Sequence, residues 1–391
     1  MTNNNSSKGA IIIEGHVQGL SNIRSLGEAG IPAFVVDTEN CIARYSQYCQ
    51  KFFQSPDFIK DEFADFLIDL AIQENIRDWV LIPSNDHAVY TISKHKEKLE
   101  KYYKIITPEL DIIDLIYDKT KLINLARENT IPVPETLTYH STEEALANIE
   151  NFPVLIKGRN GLTFYKKVGK KAFVANDQEE LKNHLSLIRD KYDLSKTFTQ
   201  ELIPHNGENK TISFTAFCEK GEIKTHWTGV KLREHPIQFG TATFSQNTHI
   251  AECYRHSRKI LKSLQYTGVC EIEYLKDPRT NDYKLIEINP RTWLWVELAK
   301  ASGVDYAKLI YNYMHNNLME YPVATKETKY WINPLSDFPF SLIGMIRGHI
   351  KIRTYLSYLF KRNKVNALFD RTDPKPAFIY MRNVLSYIKN R

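Results

Sequence analysis

Two short runs constrain this chain more than any other feature: Glu271-Ile272-Glu273-Tyr274 and Leu285-Ile286-Glu287-Ile288-Asn289-Pro290-Arg291. They flank the turn-rich Asp277-Pro278-Arg279-Thr280-Asn281-Asp282, so Cys270–Leu275 and Tyr283–Ile288 are expected to form a hairpin. Ile272, Leu285, Ile286 and Ile288 place that hairpin in a buried sheet. Residues two apart on a strand share a face, so Glu287 and Asn289 point the same way, and antiparallel pairing can bring Glu273 opposite them. Like charges side by side in a buried sheet are costly without a cation between them. Two carboxylates and an amide oxygen form a hard-oxygen site that suits Mg²⁺, with Mn²⁺ as the alternative ion, completed by water and substrate phosphates.

The opposite charge is supplied elsewhere in the chain. Lys157 ends the apolar run Val154-Leu155-Ile156-Lys157, an expensive place for a lysine unless it meets an anion. Lys119 opens a helix expected to run from Asp118 to about Asn129, where free N–H groups favour phosphate. Lys231 and Arg233, in Gly229-Val230-Lys231-Leu232-Arg233, are expected to share one strand face. A triphosphate with a divalent ion needs this mix of cations and acids.

The length of 391 residues suggests two or three domains. Up to about residue 114 strand and helix alternate: Ala10–Ile13, a Gly15-to-Gly19 loop, helix Leu20–Ala29, strand Ala33–Val36, helix Phe58–Asn75, strand Trp79–Ile82. That order argues for a parallel sheet wrapped by helices, with the glycine loop, Asp37, Asn85 and Asp86 on one rim. The loop is Gly-x-x-x-Gly rather than Gly-x-Gly-x-x-Gly, so a dinucleotide site is a minor alternative. The middle of the chain reads as antiparallel pairs. The composition, 42% hydrophobic and 25% charged, excludes a collagen, a coiled-coil rod and a disordered chain. No run is long enough to span a membrane, no secretory leader is evident, and five scattered cysteines suit a reducing cytosol. The net charge is +6, yet Met345–Arg391 carries eleven Lys or Arg against two Asp. This basic tail reads as an amphipathic helix or helix pair, packed on the body of the protein or set on an anionic membrane surface. No zinc finger, RNP-type strand or basic repeat accompanies it, so no nucleic-acid partner is expected.

Taken together and in this order, the motifs resemble the ATP-grasp superfamily over about residues 110 to 310. Within it the chain resembles the carboxylate–amine ligase branch, including D-aspartate ligase-like and carbamoyl-phosphate-synthase-like proteins. Supporting stretches are Val230-Lys231-Leu232-Arg233-Glu234-His235-Pro236, Phe239-Gly240-Thr241-Ala242-Thr243 and Ile82-Pro83-Ser84-Asn85-Asp86. The resemblance implies an α/β pre-ATP-grasp domain over 1–114 and a two-subdomain ATP-grasp domain over 115–320, with a hinge near 200–204. A basic helical extension would follow over 321–391. It implies ATP and Mg²⁺ as cofactors. Lys119 and Lys157 would be the nucleotide lysines, Glu201, Leu202 and Ile203 the adenine hinge, and Glu208 a ribose contact. Glu273, Glu287 and Asn289 would hold the metal. Arg291 would stand near the transferred phosphoryl group, with Lys231 and Arg233 beside the phosphates. The segment Gly158–Tyr165 lacks the glycine run that often caps phosphates in this superfamily, and Arg159 and Lys166 are its candidate substitutes.

The activity so implied is a two-step, ADP-forming ligation of a small-molecule carboxylate to an amine through an acyl phosphate. An amino acid or a cell-envelope or polysaccharide precursor is the expected substrate class, in the cytoplasm or at the inner face of the membrane. The rivals are a nucleotide-binding regulatory or scaffold protein without turnover, an NAD- or FAD-dependent oxidoreductase, and phosphoryl or carbamoyl transfer on the same fold. No base is named by a motif. Asp86 is the candidate, and Asn85 and Arg24 are candidate substrate contacts. His16, His87, His226 and His235 are expected to serve as surface or hydrogen-bonding residues.

Overall fold

The computed structural model describes residues 8–204, 210–235, 240–317 and 320–389. The first sheet contains β1 (Ala10–Ile13), β2 (Ala33–Asp37), β3 (Lys51–Gln54), β4 (Trp79–Pro83) and β5 (Tyr103–Ile105), all parallel, in the order β3-β2-β1-β4-β5. Ile11, Ile12 and Ile13 are fully buried because both faces of a parallel sheet are covered. Ile12 belongs to one core cluster and Ile11 and Ile13 to another. The glycine loop is shorter than the sequence suggests, since its helix starts at Val17 and runs to Glu28. Gly19 therefore sits in the first helical turn, where an added Cβ would lie 2.1 Å from the Glu14 carbonyl oxygen. Asp37 turns back on the loop and accepts the Gly15 N–H at 2.8 Å, a use unlike the ribose contact of a dinucleotide site.

A smaller antiparallel sheet follows, with β6 (Thr136–Thr138), β7 (Val154–Gly158), β8 (Phe173–Ala175) and β9 (Thr197–Glu201) in the order β6-β9-β7-β8. The third sheet is the largest. It holds β10 (Thr211–Glu219), β11 (Glu222–His235), β12 (Thr241–Asn247), β13 (Gly268–Lys276), β14 (Tyr283–Asn289), β15 (Tyr330–Ile332) and β16 (Lys364–Asn366). Their order is β14-β13-β10-β11-β12-β15-β16. The hairpin expected around Asp277–Asp282 is present as β13–β14, and β10–β11 forms a second one among the antiparallel pairs expected of this part of the chain.

The C-terminal region differs from a purely helical extension. It donates β15 and β16 to the large sheet, with the helices Pro334–Ile346 and Ile352–Leu359 between the two strands and the helix Lys375–Lys389 after them. It is also tied to the first sheet's helices. Asp373 accepts from Arg24 Nε at 2.9 Å, Ser46 Oγ at 2.7 Å and the Gln47 N–H at 2.9 Å. Arg24 also donates to the Leu368 carbonyl. Arg24 is therefore a buried tether of the tail and not a substrate contact.

Candidate active site

The hairpin β13–β14 sets Glu273 directly opposite Glu287, and Glu271 opposite Asn289. The pairs are consecutive on one face, because the register holds between Glu271 and Glu273 and shifts only beyond them. Each acid of the first pair meets a lysine. Lys119 Nζ lies 2.8 Å from Glu287 Oε2, and Lys231 Nζ lies 2.8 Å from Glu273 Oε1. Lys119, chiefly, holds the Glu287 carboxyl well below the usual range against the cost of its burial. Burial works against the Lys231 charge, but Glu273, with Glu271 and Glu234, outweighs it and raises its pKa.

Lys157 approaches from the smaller sheet. It donates to Gln200 Oε1 at 2.8 Å across the β7–β9 pair. Burial and the neighbouring Lys119 charge push it down to about 7, only partly offset by Glu287. The structure therefore brings Lys119, Lys157, Lys231, Glu273, Glu287 and Asn289 into one cleft between two sheets.

Other expectations are corrected. Arg233 does not join Lys231. A bulge in β11 opposes Lys231 to Ser245 and Arg233 to the adjacent Phe244, which re-aims the side chain. Arg233 instead makes two 2.7 Å bonds to Asp337, with the rings of Phe244, Tyr355 and Tyr358 around its guanidinium. The helix opened by Lys119 (Lys119–Glu128) has no free first turn to offer phosphate. Asp118 accepts the N–H of Thr120 and Lys121, and the Arg159 carbonyl accepts that of Lys119. Arg159 itself pairs with Asp118 at 3.1 Å, and Lys166 lies 3.8 Å from Asp57. The segment after Lys157 is the helix Gly161–Val168 rather than a loop, capped by Asn160. In the hinge, the Glu201 side chain is held by Arg279 and Lys284, while its N–H and that of Leu202 bond to the carbonyls of Glu135 and Pro153. Ile203 is buried beside them. Glu208 lies outside the described residues.

On the facing rim, Arg291 forms a bidentate pair with Asp86, at 2.8 and 3.0 Å. Asp86 is thereby committed, which removes it as the free base. His226 stacks on Phe214, as a packed ring rather than a ligand.

Two carboxyls that the sequence did not single out stand beside Arg291. Glu14, at the end of β1, has a left-handed backbone (φ 71°), a strained state for a non-glycine residue. Its oxygens accept from Asn85 at 2.8 Å and Gln18 at 2.6 Å. Burial, reinforced by Asp37 and Asp86, raises it to about 7 despite Asn85 and Arg291. Glu271 is buried, takes one bond from Asn289 at 3.2 Å and leaves Oε1 without a partner. The available signal was an acid inside an apolar strand in one case, and an acid directly before a glycine loop in the other.

Among the described residues, no three His, Cys, Asp or Glu side chains converge into a closed metal cage. The opposed Glu273 and Glu287 carboxylates beside Asn289 suit an ion that takes its remaining oxygens from water and a ligand, as Mg²⁺ does.

A parallel-sheet domain is followed by an antiparallel sheet and a larger, mostly antiparallel one, with a charged cleft between these two, as the ATP-grasp resemblance implies. Residues 233–313 match the family model described as "Carbamoyl-phosphate synthase L chain, ATP binding domain". D-aspartate ligase of Enterococcus faecium is 26% identical over 273 residues, which are 65% of this chain and 64% of that one. The chain thus spans less than two thirds of that relative. Two solved structures share the fold. The biotin carboxylase domain of Hydrogenobacter thermophilus 2-oxoglutarate carboxylase, in complex with MgADP, superposes with a TM-score of 0.64 at 16% identity, covering 82% of this chain and 73% of that one. The L-amino acid ligase from Bacillus licheniformis gives 0.62 at 13% identity, covering 83% and 79%. These likenesses show the fold of the chain.

Proposed function

We propose that this protein is an ADP-forming ligase that joins a carboxylate to an amine, with ATP as the energy source and an amino acid as one substrate. The observation that carries the proposal is the opposed Glu273–Glu287 pair, with Lys119, Lys157 and Lys231 around it. The names of two similar proteins, a D-aspartate ligase and an L-amino acid ligase, support the substrate class.

A carboxylate is a poor electrophile, and phosphorylation turns its oxygen into a leaving group. Its oxygen attacks the γ-phosphorus of ATP, ADP departs, and an acyl phosphate forms. The amine nitrogen then attacks the acyl carbon, phosphate leaves, and the nitrogen gives up a proton. The protein's part is positioning and charge neutralisation. In this reading Lys119 and Lys157 receive the triphosphate, and the ion pairs with Glu287 and Glu273 act as placeholders in the free protein. Glu273, Glu287 and Asn289 would hold Mg²⁺, which neutralises phosphate charge when bound. In this reading Arg291, paired with Asp86, would neutralise the acyl phosphate. Glu14 is the proton acceptor: it is half-buried on the facing rim, beside Arg291, and poised near neutrality.

The test is ADP release measured over a matrix of carboxylates, chiefly amino acids, and amines. A pair that releases ADP and phosphate stoichiometrically with a new amide establishes the reaction. ATP binding with no turnover on any pair favours a regulatory or scaffold role.

A further inference from the structure

The helix pair between β15 and β16 reverses the usual amphipathic order. In the helix Pro334–Ile346 the buried residues are Asp337, Ser341 and Gly344. Phe338, Leu342 and Ile346, four residues apart and hence on one stripe, face outward. Ile346 is 78% exposed and Phe338 59%. A soluble helix buries such a stripe and exposes its polar face. After a tight turn, in which Gly348 adopts φ +74° and Ile350 packs against Gly344, the helix Ile352–Leu359 repeats the arrangement. It buries Tyr355 and exposes Ile352, Leu356 and Leu359, and Phe360 follows at 82% exposed. Of the large apolar side chains exposed among the described residues, half fall between Phe338 and Phe360.

The charge on this surface has one sign. From Phe338 to Phe369 there is no Asp or Glu, while Arg347, Lys351, Arg353, Lys361, Arg362 and Lys364 are present. All but Lys364 of these six are exposed. The surface is also held rigidly. Buried Asp337 takes both Arg233 bonds and one from Thr243 at 2.8 Å, which pins the first helix to β11 and β12. Its apolar stripe is therefore not a face waiting to fold inward on the same hydrogen bonds.

We propose that this helix pair is a docking foot for an anionic lipid bilayer, lying in the interface with Phe338, Leu342, Ile346, Ile352 and Phe360 inserted. The basic side chains at its edges would meet the lipid phosphates. Exposed apolar area with a basic rim is the pattern of a helix that lies on a membrane rather than across it. No helix among the described residues is long and apolar enough to cross one. Charge decides against a second copy of the chain: a two-fold contact would press two acid-free, basic patches together. The cleft between the sheets takes no part in this surface, so the proposal stands apart from the ligase reading.

The experiment is co-sedimentation of the full chain with vesicles of phosphatidylcholine alone and of phosphatidylcholine with phosphatidylglycerol, in low and high salt. Binding should need phosphatidylglycerol and fall in high salt. The triple variant Arg347→Glu, Lys351→Glu, Arg353→Glu should lower partitioning by at least roughly tenfold, since each basic residue near such a surface contributes about fivefold. The variant Phe338→Ser with Ile346→Ser should abolish binding. Hydrogen exchange on the unmodified protein gives a second reading, in which vesicles should protect segment 338–360 and leave the β13–β14 hairpin unchanged. No binding to the mixed vesicles, binding independent of lipid charge, or a dimer that the apolar variant dissolves would each overturn the proposal.

Discussion

Strand β11 carries two buried ion pairs two residues apart, and they are built differently. Lys231 meets Glu273 through a single 2.8 Å contact at the cleft, with Glu271 and Glu287 close by. Arg233 meets Asp337 through two bonds, Thr243 satisfies the acid further, and three aromatic rings surround the guanidinium. The second pair is bidentate, with planar fork, carboxylate and ring faces fixing its geometry, and only Arg233 Nη1 is left buried without a partner. The first is open, because a lysine is a point charge that can exchange a carboxylate for a phosphate without a change of geometry. Pair chemistry therefore separates the part of the sheet that holds the tail from the part expected to hold nucleotide.

The sharpest way to break that contrast is at the cleft. Glu287→Gln should lower ADP release by about 10²–10³-fold or more while the melting temperature stays close to that of the parent protein. A fully active variant would remove the acid pair from the reaction.

The next effect concerns the facing rim. Glu14→Gln should lower turnover by about 10²-fold or more. In the parent protein, a carboxyl held near 7 is largely protonated at pH 6 and ionised at pH 8, so a base at this position makes the rate rise across that interval. Asn85, Gln18, Arg291, Asp37 and Asp86 all bear on this group, so an Arg291 variant should move the acidic limb upward. A profile with the same limb in Glu14→Gln would assign the proton to another group.

At the bidentate pair the expectation reverses. Asp337→Asn leaves Arg233 buried and unmatched, which costs about 3–5 kcal/mol. Denaturant unfolding measures it, and ATP affinity of the folded fraction should not change. Equal stability loss in Glu273→Gln would erase the distinction between the two pairs.

The contrast also explains what was legible in the sequence. The β13–β14 hairpin was readable because a turn-rich segment separates two apolar runs, and the two-residue period that pairs their acids holds from Glu271 to Glu273. Lys231 and Arg233 were not separable, because a one-residue bulge breaks the same period without any glycine or proline to mark it. Asp337 is 104 residues from Arg233, and no local pattern links them. The edge strands β15 and β16 have three residues each, too short for periodicity to emerge. The helix after Lys157 had a readable signal in Asn160 as its cap and Gly169 as its stop, but family resemblance drew attention to a phosphate loop instead. The acids and lysines that meet in the cleft were legible as residue types. Which of them meet was decided by register and by the packing of two sheets.

The smallest predicted effect tests the lysine from the second sheet. Lys157→Ala should weaken ATP binding by roughly 1.5–3 kcal/mol, the worth of one charge-assisted contact. The pH dependence is more discriminating. In the free protein Lys157 sits near 7, so above that pH its neutral form predominates. A bound triphosphate favours the ammonium and draws its pKa up, so binding near pH 8 should take up nearly one proton. Affinity should then fall by up to about tenfold per pH unit above 7, until the pKa of the bound state is reached. Calorimetry in buffers of different ionisation enthalpy counts the protons. Lys157→Arg, which keeps its charge throughout, should bind without that uptake. Unchanged proton uptake in the arginine variant would mean that another group titrates and that Lys157 does not reach the nucleotide.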